Sequence, residues 1–130
     1  MTETTTTSTL HNASHTCHFS VSEVDTAAFQ GSGDLDVLAT PRLVAGMEQA
    51  ARLAVAAHLP EGSTTVGTAI TIEHLHATPL GATWSATATL TKVDGRALHF
   101  TLEATDHKGT IGRGTHTRFI VDRQRFMSKL

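Results

Sequence analysis

The sequence predicts an α+β domain in which a strongly curved, antiparallel five-stranded sheet wraps around one long helix. Three observations carry this. Apolar residues recur at helical spacing over a single long stretch, Pro41 to about His58. Five other segments read as strands, most of them alternating apolar and polar residues. The four that follow the helix are joined mainly by tight turns, which demand antiparallel neighbours, and a lone apolar helix needs a sheet to cover its buried face.

Residues 1–13 are rich in Thr and Ser, with only Met1 and Leu10 as sizeable apolar side chains, and are expected to form a disordered tail. Residues 14–130 then form one domain. From His15 to Val24, Cys17, Phe19 and Val21, with Glu23 in the same register, alternate with His18, Ser20 and Ser22, the pattern of a half-buried strand. Residues 25–39 contain Gly31-Ser32-Gly33 and the acidic Asp34 and Asp36, and read as a loop with one helical turn near Asp25–Gln30. Thr40 offers its hydroxyl as an N-cap, and Pro41 suits the first helical position, where a missing N–H costs nothing. Leu43, Val44, Met47, Ala50, Ala51, Ala54 and Val55 follow at helical spacing, many of them small enough to let strands pack close. Pro60 and Gly62 end the helix. Strands are expected over Thr64–Thr78, Ala82–Val93, Arg96–Asp106 and Thr110–Val121, with Asp94-Gly95 as a type I′ hairpin and Asp122–Leu130 as a short terminal helix. An open five-stranded sheet keeps free edges and hides one by pairing with a second copy, so a homodimer is expected, with assembly to a tetramer left open.

Composition narrows the function classes. A chain of 130 residues has room for one core. A net charge of −2 with no basic run offers nothing to track a phosphate backbone, so no nucleic-acid partner is expected. The one cysteine, Cys17, excludes an intrachain disulfide and a thiolate zinc cluster, and suits a reducing cytoplasm, the expected location. No apolar run approaches the roughly 20 residues that span a bilayer. The first residues lack the basic-then-apolar order of a secretory signal, so no membrane association is expected.

Glu48 stands out against the helix pattern. It lies eight residues after Thr40 among alanines and other apolar residues. Burying an unpaired carboxylate is expensive, so this one must be solvated, paired or used. The plain alternative is a solvated stripe with Arg52, its i+4 partner, worth about 0.3–0.5 kcal/mol. Downstream, Val66-Gly67-Thr68-Ala69 puts a glycine inside a strand, the mark of a bulge or of a close backbone approach. His74 and His76 share one strand face, and with His116 they raise the question of a metal. No carboxylate or cysteine stands beside them at ligand spacing, so none is expected. His76, His99 and His116 read as ordinary strand residues, and Arg113 and Arg118 as surface charges or as partners for a phosphate.

These pieces, in their order and spacing, resemble the hotdog-fold acyl-CoA thioesterases, most closely the fluoroacetyl-CoA thioesterase-like group. The residues that carry the resemblance are Ala39-Thr40-Pro41 leading to Met47-Glu48, Val66-Gly67-Thr68-Ala69, and His74 followed by Ala77-Thr78-Pro79. Val93-Asp94-Gly95-Arg96 and Ile111-Gly112-Arg113-Gly114-Thr115-His116-Thr117-Arg118 complete it. The resemblance implies the hotdog fold, a dimer, and hydrolysis of an acyl-CoA thioester to acid and CoA with no cofactor besides the CoA of the substrate. It implies Thr40, Glu48 and His74 as catalytic residues, and Gly67 and Arg118 as substrate-binding ones. Eight residues at 1.5 Å rise set Thr40 and Glu48 ~12 Å apart along the helix. Either the substrate lies between them or a second copy completes the site, and a site at the interface of two copies is the expectation. The fluoroacetyl-specific enzyme carries aromatic lid side chains just before its catalytic threonine. Here that stretch is Gly31-Ser32-Gly33-Asp34, with Phe29 the nearest aromatic, which implies a more open entrance and a short or medium acyl group. Two competing readings are a hotdog hydratase or dehydratase, whose histidine–acid motif around the central helix is not found, and a non-catalytic acyl-CoA-binding domain.

Overall fold

The computed structural model describes residues 10–130. Five strands, β1 (Ser14–Ser20), β2 (Ser63–His74), β3 (Thr83–Asp94), β4 (Ala97–Asp106) and β5 (Gly109–Asp122), form one sheet in the order β1-β3-β4-β5-β2. Every neighbouring pair is antiparallel. A short helix α1 (Ala27–Gln30) and the long helix α2 (Thr40–Ala56) lie between β1 and β2, and α3 (Arg123–Ser128) closes the chain. This is the sheet around a central helix that the sequence predicts. Among the described residues, no helix is long and apolar enough to cross a membrane. Of the tail expected over residues 1–13, residues 1–9 lie outside the described ones. Leu10 is fully buried and Ala13 packs on the core, so the folded part begins before Ser14.

α2 seats its apolar stripe on the sheet through Leu43, Gly46, Met47, Ala50, Ala51, Ala54 and Val55, all buried. The approach is close because Gly46 has no side chain: a Cβ there would stand 2.5 Å from the Trp84 ring. On the opposite face of the sheet, hydroxyls pair across strands, Thr16 with Thr87 at 2.7 Å and Ser85 with Thr105 at 3.2 Å. Those pairs account for the Thr-rich polar positions of the alternating pattern.

Four local expectations are corrected. β1 ends at Ser20 and Glu23 is exposed in a single 3-10 turn, because the Ser22 amide and hydroxyl both donate to Asp25 Oδ2 and bend the chain. Ala39, not Thr40, is the N-cap of α2; Thr40 is the first helical residue and makes no cap bond. Pro41 therefore sits one position further in, still among the four amides without an intrahelical acceptor. β2 stops at His74 rather than Thr78, since the amides of Leu75 and His76 both donate to Ile111 O. The β3–β4 loop is Gly95-Arg96 between the paired Asp94 and Ala97, and only Gly95 has positive φ, at 62°. That is the hairpin with glycine at the first central position, type II′ rather than type I′.

Candidate active site

The helix start and the strand end meet at one point. Thr40 Oγ1 lies 2.8 Å from Nδ1 of His74, the last residue of β2. Both border a cavity of about 260 Å³ whose walls include Ala27, Ser32, Val37 and Leu75. The segment before α2 is knitted to the chain after β2, with Leu38 N donating to Thr78 O and Leu80 N to Asp36 O. Burial pushes His74 below the usual imidazole value, favouring the neutral ring. Where the Thr40 hydroxyl donates to Nδ1, the ring hydrogen sits on Nε2. That nitrogen is buried and has no hydrogen-bond partner among the described residues, an arrangement that costs stability unless something accepts from it.

A second group forms two helical turns further along α2. Glu48 Oε2 is 3.6 Å from Arg118 Nη1 and 4.0 Å from His116 Nε2. The carboxylate is paired and partly solvated: its side chain is 40% exposed. Arg52, the expected i+4 partner, forms no ion pair with it among the described residues. Gly67 satisfies both of its readings. The β2–β5 register shifts between Gly67 and Ala69, and a Cβ at Gly67 would fall 2.7 Å from Glu48 Oε2. Arg118 is not a surface charge; it is 6% exposed. Its Nε and Nη2 donate to Thr65 Oγ1 and Thr65 O at 2.8 and 3.0 Å, and Nη1 donates to His116 Nε2 at 3.1 Å.

His116 belongs to this group, not to the ordinary strand residues. Its Nδ1 lies 2.7 Å from Ala69 O. A carbonyl only accepts, so the hydrogen is on Nδ1 and Nε2 is free to accept from Arg118. Burial pushes His116 below the usual imidazole value, and the Arg118 charge adds to that. The signal for His116 and Arg118 was present in the strand period: both fall on the inward positions of β5, where a polar side chain needs a partner. Thr65, 5% exposed on β2, is the partner that sequence reading missed.

Thr40 and His74 are thus brought together, and so are Glu48, Gly67 and Arg118. No hydrogen bond or ion pair among the described residues joins the two groups. His76 is exposed beyond the end of β2, and His99 Nδ1 lies 3.3 Å from the Thr117 hydroxyl. Among the described residues no three His, Cys, Asp or Glu side chains converge as metal ligands would. A larger groove of about 600 Å³, bordered by His18, Trp84 and His107, contains none of these groups.

A curled antiparallel sheet around one helix, with a hydroxyl–imidazole pair at the helix start, defines a hotdog-fold protein of the thioesterase class. The model of the family of fluoroacetyl-CoA-specific thioesterases matches residues 21–124, and the chain belongs to that family. It is 40% identical over 95 residues to the fluoroacetyl-CoA thioesterase of Streptantibioticus cattleyicolor, covering 73% of this chain and 68% of that protein. A solved structure of a fluoroacetyl-CoA thioesterase superposes with a TM-score of 0.85 at 34% identity, over 92% of this chain and 93% of that one. A variant of that enzyme solved with fluoroacetate and CoA superposes with a TM-score of 0.83, also at 34% identity, over 89% and 98%. A thioesterase superfamily member from Thermus thermophilus, at 24% identity, shares the fold with a TM-score of 0.84 over 92% of this chain and 88% of its own.

Proposed function

We propose that the protein hydrolyses an acyl-CoA thioester, with a short or medium acyl group, in a site that two copies build together. The observation that carries this is the Thr40–His74 hydrogen bond beside a cavity, in a chain whose named relative acts on fluoroacetyl-CoA. The roles follow from geometry and chemistry. With Thr40 donating to Nδ1, the ring hydrogen sits on the buried Nε2, and the His74 imidazole polarises the substrate carbonyl or moves a proton as the tetrahedral intermediate forms. Glu48 supplies the carboxylate that activates water, or attacks the carbonyl itself, and Arg118, 3.6 Å away, holds it in place. Gly67 leaves room for the carboxylate and for substrate beside it. In the first route Glu48 takes the water proton, the C–S bond breaks, the acid leaves with the added oxygen and CoA leaves as the thiol with that proton. In the second, C–S cleavage leaves an acyl-Glu48 anhydride. Water hydrolyses it to free acid and Glu48, the thiolate taking the proton that water gives up. No cofactor takes part.

The separation of the two groups along α2 supports a site shared between copies. β2 is a twelve-residue strand with β5 on one side only, the kind of long free edge that a second copy covers. A two-fold axis pairs such edges antiparallel. That pairing sets the Gly67 half of one β2, beside Glu48, against the His74 end of the other, beside Thr40. CoA chemistry and the lone free thiol of Cys17 suit the cytoplasm. The entrance supports acyl groups beyond fluoroacetyl: Phe29 is 66% exposed on α1, and Ser32 rather than an aromatic ring borders the cavity.

Thiol release measured from acetyl-, fluoroacetyl-, butyryl-, octanoyl- and aromatic acyl-CoA tests the proposal. Hydrolysis of at least one short or medium ester is expected. Tight acyl-CoA binding with no thiol released would favour the binding-domain reading, and hydration of an enoyl-CoA the hydratase one.

A further inference from the structure

We propose that a basic recess at the end of the β2–β5 pair binds the phosphates of the CoA nucleotide, an assignment that rests on the acyl-CoA reading above. The recess has a volume of about 250 Å³ and is bordered by Ser63, Arg96, Ile120, Arg125, Phe126 and Lys129. The whole chain holds ten Lys and Arg residues and carries a net charge of −2, so three cations around one hollow is a local excess. Arg96, Arg125 and Lys129 are exposed, and none has a carboxylate within ion-pair distance among the described residues. Asp122 also borders the recess, but its Oδ1 accepts from the Arg125 amide at 2.9 Å and caps α3. The fold makes no visible use of the three cationic heads.

Position puts the hollow on the same strand pair as the carboxylate's neighbour Gly67. Ser63 pairs with Asp122 and Gly67 with Arg118, so the recess and the Glu48 carboxylate lie along the same two strands. Four residues of β2 separate them, ~14 Å at ~3.4 Å per residue. An extended pantetheine arm spans that order of distance between its sulfur and the pyrophosphate. Guanidinium forks match phosphate oxygens in pairs, and a lysine adds a point charge. Phe126, 36% exposed, offers a ring surface to a purine.

Titration calorimetry with CoA, adenosine 3′,5′-bisphosphate, inorganic phosphate and pantetheine, on the wild type and on an Arg96→Ala/Arg125→Ala/Lys129→Ala variant, tests the assignment. The variant should bind CoA and the bisphosphate about tenfold more weakly, or ~1.4 kcal/mol, and pantetheine unchanged. In turnover, KM for acyl-CoA should rise by the same factor with kcat unaltered, while an acyl-pantetheine ester is hydrolysed alike by both proteins. Unchanged CoA affinity in the variant, an equal loss on pantetheine, or inorganic phosphate competing as well as the bisphosphate would each overturn it. The titration needs no turnover, so failure of every acyl-CoA to release thiol would count against the hydrolase reading alone.

Discussion

Thr40 begins α2 without capping it, because Ala39 holds the N-cap and the hydroxyl turns to His74 Nδ1 at 2.8 Å. Thr40→Ala should therefore shift the stability measured in urea by less than ~0.5 kcal/mol, against ~1 for a lost cap, while thiol release falls steeply. Gly67→Ala is the complementary case. A methyl group 2.7 Å from Glu48 Oε2 must displace the carboxylate, and a misplacement near 1 Å lowers kcat on the order of 10²-fold, with the fold retained. The histidines make a separate prediction about pH. Burial holds His74 and His116 below their unfolded value of ~6.5. Below that pH the unfolded chain binds more protons than the folded one, so stability falls as pH drops through the window between the two values. Desolvation raises Asp25 and Asp106, but hydrogen bonds, led by the amides of Ser22 and Lys108, outweigh it and leave both below the usual value, so they act only below ~3.9. Melting temperature recorded from pH 7.5 to 4.5 should decline, and His116→Gln should reduce that slope. An unchanged slope in the variant would remove His116 from the titrating set.

At the scale of elements, α2 is held by what it lacks as much as by what it buries. Gly46 meets the Trp84 ring, so Gly46→Val should overpack the helix–sheet contact and cost about 1–3 kcal/mol in urea unfolding. A change below ~0.5 kcal/mol would mean that the helix sits further from β3 than described. The elements themselves were legible, because period and turn chemistry are local properties. The 3.6 period from Leu43 to Val55, the alternation in β3 and β4, and Gly95 at the hairpin each speak through neighbours in sequence. The misreadings at the site were decided at long range. The Thr40 hydroxyl looked like a cap because its actual partner is 34 residues away. Arg118 looked like a surface charge because Thr65, which takes two of its hydrogen bonds, is 53 residues earlier. His116 was readable as an inward polar residue of β5, but the strand period alone names no partner.

At the scale of the molecule, one chain separates the hydroxyl–imidazole pair from the carboxylate, and a long free β2 edge runs between them. Two copies related by a two-fold axis through that edge would make two complete sites. Resemblance supplied Thr40, Glu48 and His74 as a set; helix rise alone put Thr40 and Glu48 ~12 Å apart, and among the described residues the structure joins Thr40 to His74 but not to Glu48. The most direct measurement is complementation. Thr40→Ala and Glu48→Gln proteins, each inactive alone, are unfolded, mixed and refolded together, and thiol release is recorded. In a shared site half the assemblies are mixed and each carries one intact site, so activity should return to about a quarter of wild type. Activity that stays at the level of the separate variants would contradict a site built by two copies and return all three residues to a single chain.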